Sequence, residues 1–171
     1  MGLKLWPTSG QSLGKNIMKK VGITRPHLGA SLLQRRLLSE PQAEAVDCEK
    51  LLRFLRSPLA REIRESGYVL REYRFALLVP ATVYEPQAGQ GEEMLLQGVV
   101  DCCFETADGL VVVDFKTDRI RPGEEAQRAE MYRPQLEAYA HALERVLEKK
   151  VCRRVLWFFA TNRAVTQEER S

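Results

Sequence analysis

Two strongly apolar, β-branched runs meet across one tight turn, and that pairing constrains the fold more than any other feature of the chain. Gly98-Val99-Val100-Asp101-Cys102-Cys103-Phe104 and Leu110-Val111-Val112-Val113-Asp114-Phe115 flank Thr106-Ala107-Asp108-Gly109. An Asp-Gly step between apolar runs signals a hairpin, because both residues tolerate the left-handed backbone that a short loop requires. The pattern predicts strands over Met94 to Glu105 and Leu110 to Lys116. Upstream, Val69 to Tyr84 reads as a further strand region broken by Pro80, followed by a loop from Glu85 to Glu93. The three strands form a meander.

Beyond a polar connector, Arg119 to Glu125, the period changes. Met131, Gln135, Leu136, Tyr139, Leu143, Val146 and Leu147 recur at helical steps, predicting a helix over Ala126 to Lys149 that Pro134 kinks or divides. Val151 to Ala160 then suits a strand buried on both faces. A strand, a helix and a strand in succession predict a parallel pair with a right-handed crossover. Ahead of the meander, His27 to Ser39 reads as a short helix. Pro41 opens another, with Val46, Leu51, Leu52 and Leu55 on its apolar face. Ser57-Pro58 punctuates, Leu59 to Ser66 is helical, and Gly67 is the expected C-terminal cap. The expected class is α/β: a mixed central sheet of a three-strand meander, a crossover helix and a parallel fourth strand, flanked by helices. The 171 residues suit one domain with a sizeable core. Residues 1–26 are weakly patterned and expected to be poorly ordered, with the domain running over 27–171.

A net charge of +3 permits a nucleic-acid partner without requiring one. No apolar run is long enough to span a bilayer, and Met1 to Lys20 lacks the pattern of a secretory signal, so a cytoplasmic, non-membrane protein is expected. Cys48, Cys102, Cys103 and Cys152 form no Cys-x-x-Cys pair, and the adjacent Cys102 and Cys103 read as small buried residues. Gly10 to Asn16 has one residue too few between its glycines for a phosphate loop, and Asn16 stands where a hydroxyl is needed, so ATP is not bound by that route.

Chemistry concentrates on the hairpin. Asp101 and Asp114 lie in apolar strands, where an unpaired carboxylate is costly. If the hairpin brings them together they repel, and a divalent cation such as Mg²⁺ resolves the conflict. Lys116 leaves the strand on the same face as Asp114, placed to orient a nucleophile or stabilise charge on a phosphate, while the Phe115 carbonyl is a further candidate ligand. The alternative is two strand-end acids paired with Lys116 or an arginine. Gln135 and Tyr139 stack on one helix face, either toward these strand ends or as part of an ordinary amphipathic helix. Arg119, Arg121, Arg128 and Arg133 would hold phosphates or simply line a solvated face.

Taken in order, Gly98-Val99-Val100-Asp101, Val113-Asp114-Phe115-Lys116-Thr117-Asp118-Arg119 and the helix from Tyr132 to Tyr139 resemble the RecB-type branch of the PD-(D/E)XK nuclease superfamily. The match is nearest to the C-terminal nuclease domains of the AddA chains of bacterial AddAB helicase–nucleases. Leu70-Arg71-Glu72-Tyr73-Arg74-Phe75 resembles that family's acidic strand motif, and Gln42 to Asp47 and Phe54 to Leu59 its helical lead-in. The resemblance implies a restriction-endonuclease-like core. It implies Asp101, Asp114 and the Phe115 carbonyl as ligands of Mg²⁺ (or Mn²⁺), and Lys116 beside Asp101 and Asp114 as the catalytic set. Gln135, Tyr139, Glu72 and Arg119 would support the site or grip DNA. The implied activity is metal-dependent exonuclease action on DNA during double-strand break repair and recombination, in a bacterial cytoplasm, by part of a longer polypeptide with an AddB-like partner subunit. The family also draws a ligand, often histidine, from an earlier helix. His27 lacks that context and His141 points to another face than Tyr139, so a second expectation is an impaired remnant serving DNA binding or subunit docking.

Overall fold

The computed structural model describes residues 47–167, so the expectations for residues 1–26, the helix at His27 to Ser39 and the start at Pro41 fall outside the described residues. The chain divides into two compact units between Glu65 and Ser66. In the first, α1 (Cys48–Arg56) begins where the Asp47 carboxylate accepts from the backbone N–H groups of Glu49 and Lys50, satisfying donors that a first turn leaves unpaired. Ser57 then serves both helices. Its N–H donates to Phe54 O at 2.9 Å, closing α1, and its hydroxyl accepts from Ala60 N at 3.1 Å, opening α2 (Pro58–Glu65). Arg64 ties the pair together by donating to Leu55 O at 2.7 Å. Gly67 does not take the left-handed backbone expected of a C-terminal cap; α2 already ends at Glu65.

The second unit is a five-stranded sheet in the order β1-β2-β3-β4-β5. The meander is β1 (Val69–Pro80), β2 (Glu93–Thr106) and β3 (Gly109–Lys116), each antiparallel to the next. Pro80 ends β1, as a residue without an N–H should, and a short 3-10 turn, Ala81–Val83, leads into the loop. At the hairpin Gly109 has φ 134°, and a Cβ there would lie 2.6 Å from Lys150 O, so only glycine fits.

The helix expected over Ala126 to Lys149, kinked or divided at Pro134, is divided: α3 (Glu125–Met131) and α4 (Arg133–Leu147). The break falls at Tyr132, and Pro134 sits in the first turn of α4, where its missing donor leaves no gap. β4 (Val151–Phe158) pairs parallel to β3, as the crossover requires. A fifth strand, β5 (Arg163–Gln167), runs antiparallel to β4 and adds to the sheet expected from sequence. α4 packs on one sheet face through Leu136, Ala140 and Leu143, against Val100, Cys103, Leu110, Val112, Leu156 and Phe158. Cys102 and Cys103 are both buried. Among the described residues no helix is long and apolar enough to cross a membrane.

Candidate active site

The sheet register places three acids in one row. Cys102 lies across from Val113 and Cys103 across from Val112; one step further along brings Asp101 opposite Asp114. On the other side Arg71 lies across from Cys102 and Tyr73 across from Val100, which sets Glu72 opposite Asp101. The ladder passes over that one pair, and Glu72 has φ 47°. Leu70 and Tyr73, three residues apart, both reach the same core, as do Val100 and Cys103. Regular strands alternate faces, so the interruption is what lets the pattern change face on both strands at once. A left-handed glutamate is a strained residue of the kind that collects at functional sites.

Asp101 accepts a hydrogen bond from the Phe115 N–H at 2.9 Å. That contact locks the end of β3 to β2 and turns the Phe115 amide toward the acids. Burial raises the Asp101 carboxyl, with the Phe115 N–H and the Lys116 charge opposing and the Glu72 charge adding to it. Asp114 is 3% exposed. Burial pushes its carboxyl up to about 6, against the pull of Lys116 and with the help of the charges on Asp101 and Asp118. Lys116 Nζ stands 2.6 Å from Asp114 Oδ2. The contact is a close salt bridge that pulls the carboxyl down against its burial.

From α4, Gln135 Oε1 accepts from Lys116 Nζ at 2.9 Å, and Gln135 Nε2 donates to the Tyr139 hydroxyl at 2.6 Å. The Tyr139 hydroxyl is raised by burial, then lowered by Gln135 and raised by the charges of Asp114 and Asp101. The ring of Tyr139 meets Phe75 edge-on at 5.9 Å. Gly98 makes room for both: a Cβ there would lie 2.9 Å from the Phe75 ring and 3.2 Å from that of Tyr139.

Asp101, Asp114, Lys116, Gln135 and Tyr139 are therefore one cluster, with Glu72 beside it. Arg119 stands apart, exposed on the connector. His141 is half-buried against Tyr84, its Nδ1 3.4 Å from the tyrosine hydroxyl. Three further side chains complete the surroundings of Lys116. The Tyr132 ring lies under its ammonium, 3.7 Å from Nζ to the centroid. Tyr132 Oη and Arg128 Nε both donate to Asp118 Oδ2, at 2.5 and 2.9 Å. Against a burial that would raise it, those two bonds hold the Asp118 carboxyl below the ordinary range. Carrying the alternation of Asp114 and Lys116 two residues further would have drawn attention to Asp118.

The donor set fits a hard divalent cation. Two carboxylates face each other, and burial raises both; such ions prefer oxygen ligands. Among the described residues no group of three His, Cys, Asp or Glu side chains is disposed to hold a metal, so the described part of any such site would rest on the two aspartates and on backbone or solvent oxygens.

A family model described as PD-(D/E)XK nuclease superfamily matches residues 22–171. The chain belongs to this superfamily. Its five-stranded mixed sheet with flanking helices is the superfamily's restriction-endonuclease-like arrangement. Among curated relatives, the A-type chain of the ATP-dependent helicase/nuclease of Desulforudis audaxviator is 43% identical over 79% of this chain and 11% of its own length. The proteins of that name from Acetivibrio thermocellus and Bacillus velezensis are 41% and 36% identical, over 75% and 79% of this chain and 11% and 12% of theirs. The chain thus spans about a tenth of the length of the curated relatives it matches.

Proposed function

We propose that this chain is a divalent-metal-dependent deoxyribonuclease domain that hydrolyses phosphodiester bonds at DNA ends during break repair. The observation that carries the reading is the facing pair Asp101 and Asp114 with Lys116 held between Asp114 and Gln135. Asp101, Asp114 and the Phe115 carbonyl would hold Mg²⁺ or Mn²⁺, which when bound lowers the pKa of its water and neutralises phosphate charge. Lys116 is the catalytic cation: its ammonium orients the attacking water and stabilises the charge that grows on the scissile phosphate. Gln135 fixes the lysine through its carbonyl and fixes Tyr139 through its amide. The Tyr139 hydroxyl accepts from Gln135, so its own proton is left to donate to the DNA backbone. Glu72 supports Asp101 from the neighbouring strand, and Arg119 contributes a phosphate contact from the connector. The name shared by the relatives supports placing this domain in a helicase–nuclease that pairs with an AddB-like protein; residues 27–171 would form the domain.

The test uses the purified chain with linear single- and double-stranded DNA, in Mg²⁺, in Mn²⁺ and in chelator. The expected result is end-dependent degradation that chelator abolishes, and that Asp114→Ala and Lys116→Ala each reduce by at least about 100-fold, the usual scale for losing one electrostatic group of a site. Binding without cleavage in either metal would sink the enzymatic reading and leave a DNA-docking remnant.

A further inference from the structure

Lys116 reaches Asp114 with a charge and Gln135 with a hydrogen bond, but its third neighbour is an aromatic face. The Tyr132 ring centroid is 3.7 Å from Nζ. The ring is pinned at its far end, where the hydroxyl donates to Asp118 Oδ2, an oxygen that also receives Arg128 Nε. The position is built into the fold. Tyr132 is the single residue between α3 and α4, and its N–H closes α3 on Ala129 O. Counting from it, Gln135 and Tyr139 follow at three and seven residues, so one side of α4 offers the strand ends a ring, an amide and a hydroxyl. Asp118 comes from the other side, two residues beyond Lys116.

We propose that Tyr132 is a positioning residue of this site: its ring face, held by Asp118 through the hydroxyl, seats the Lys116 ammonium. The chemical reason lies in what a ring face does not do. A carboxylate in that place would take one of the ammonium protons and tie the lysine down. A π face attracts the charge electrostatically but accepts no directed N–H bond, so it seats the lysine without committing the ammonium proton left over by Asp114 and Gln135. The Asp118 contact sets the height and tilt of the ring, and the half-buried Arg128 links that carboxylate to the solvent side of the site.

The catalytic consequence rests on the nuclease reading above; the seat does not. The experiment uses the full chain with two readouts. The first is the Lys116 ε-methylene proton shift, observed with ¹³C-labelled lysine and assigned with Lys116→Met. The second is kcat and KM for DNA cleavage. Protons over a ring face are shifted upfield, so wild type and Tyr132→Phe should show that shift and Tyr132→Leu should lose it. In kinetics, kcat should fall a few-fold in Tyr132→Phe and in Asp118→Asn, and at least tenfold in Tyr132→Leu, with KM within about twofold. Phenylalanines carrying one, two and three ring fluorines at position 132 keep size and fold while draining the π face, and kcat should fall stepwise along them. Equal kcat along the fluorinated series, or an unshifted methylene in wild type, overturns the proposal. A wild-type chain that cleaves no DNA overturns the nuclease reading instead; the methylene shift then decides the seat alone, supporting it if present and overturning it if absent.

Discussion

Burial lifts the Asp114 carboxyl to about 6, with Lys116 pulling the other way. The unfolded chain loses that proton near the ordinary aspartate value of about 4. Between the two values the folded chain binds more protons, so this group's contribution is fully present at the acidic end and is lost as pH rises through about 6. The whole effect is of the order of 3 kcal/mol, and roughly 1 kcal/mol of it lies between pH 5 and pH 7.5. In chelator, wild type should therefore melt a few degrees lower at pH 7.5 than Asp114→Asn does, relative to each protein at pH 5. Added Mg²⁺ at pH 7.5 should raise the melting point of wild type and leave that of Asp114→Asn unchanged. Parallel pH profiles for the two proteins would show that the buried charge carries no such penalty. At this scale the sequence is informative where a period governs direction. Strand alternation set Asp114 and Lys116 on one face, and helix spacing set Gln135 above Tyr139. It is silent where the backbone leaves its period. Glu72 reads as an ordinary strand residue, and nothing in its neighbours announces a φ of 47°. The ring-face contact of Tyr132 depends on a helix break one residue wide.

Between elements, the meander and α4 meet with almost no slack at Gly98. A side chain there would strike the rings of Phe75 and Tyr139 together. Gly98→Val should cost about 1–3 kcal/mol, the usual range for overpacking, measured by urea unfolding. It should also lower DNA cleavage, because displacing Tyr139 disturbs Gln135 and hence Lys116. Gln97→Val, at the exposed neighbouring position, should change stability by less than about 0.5 kcal/mol and leave cleavage intact. If both variants lose activity equally, the packing of Tyr139 is not what holds the site. Element by element, the hairpin and the crossover were readable because Asp108-Gly109 and the shift to a helical period are local signals. β5 was not, because Arg163-Ala164-Val165-Thr166-Gln167 has no apolar run of its own and is a strand only by pairing with β4. A division of the long helix was readable from Pro134, but it falls two residues earlier, at Tyr132, because a proline in a first turn does no damage.

For the molecule as a whole, a net charge of +3 and the arginines Arg119, Arg121, Arg128 and Arg133 suggest a broad phosphate grip, but pairing reduces it. Arg133 is engaged by Glu130 and Arg128 by Asp118, whereas Arg119 and Arg121 are exposed on the connector. Each phosphate neutralised on a duplex contributes about −0.9 to the slope of log affinity against log salt. The isolated chain should therefore bind duplex DNA with a slope of about −2, read by fluorescence anisotropy over a range of salt. A slope near −4 would mean that the two engaged arginines also change partners on binding. The family was legible at this scale because several motifs recur in order; the expected start of the domain at residue 27 lies outside the described residues.

The gap in the β1–β2 ladder at Glu72 and Asp101 has a consequence in time as well as in space. It splits β1 into a stretch of three pairs, Val69 to Arg71, and one of eight, Tyr73 to Pro80. β1 is an outer strand of the sheet, so the short stretch can detach by a local opening that leaves the long one in place, and local openings require less free energy than global unfolding. Native-state hydrogen exchange should show the ladder-bonded amides of Val69 to Arg71 opening well below the global free energy, while those of Tyr73 to Val79 exchange close to it. Binding of a divalent cation at Asp101 should slow the first set and leave the second unchanged. The strand that carries the third acid would then breathe on its own clock, stilled only when the site is charged.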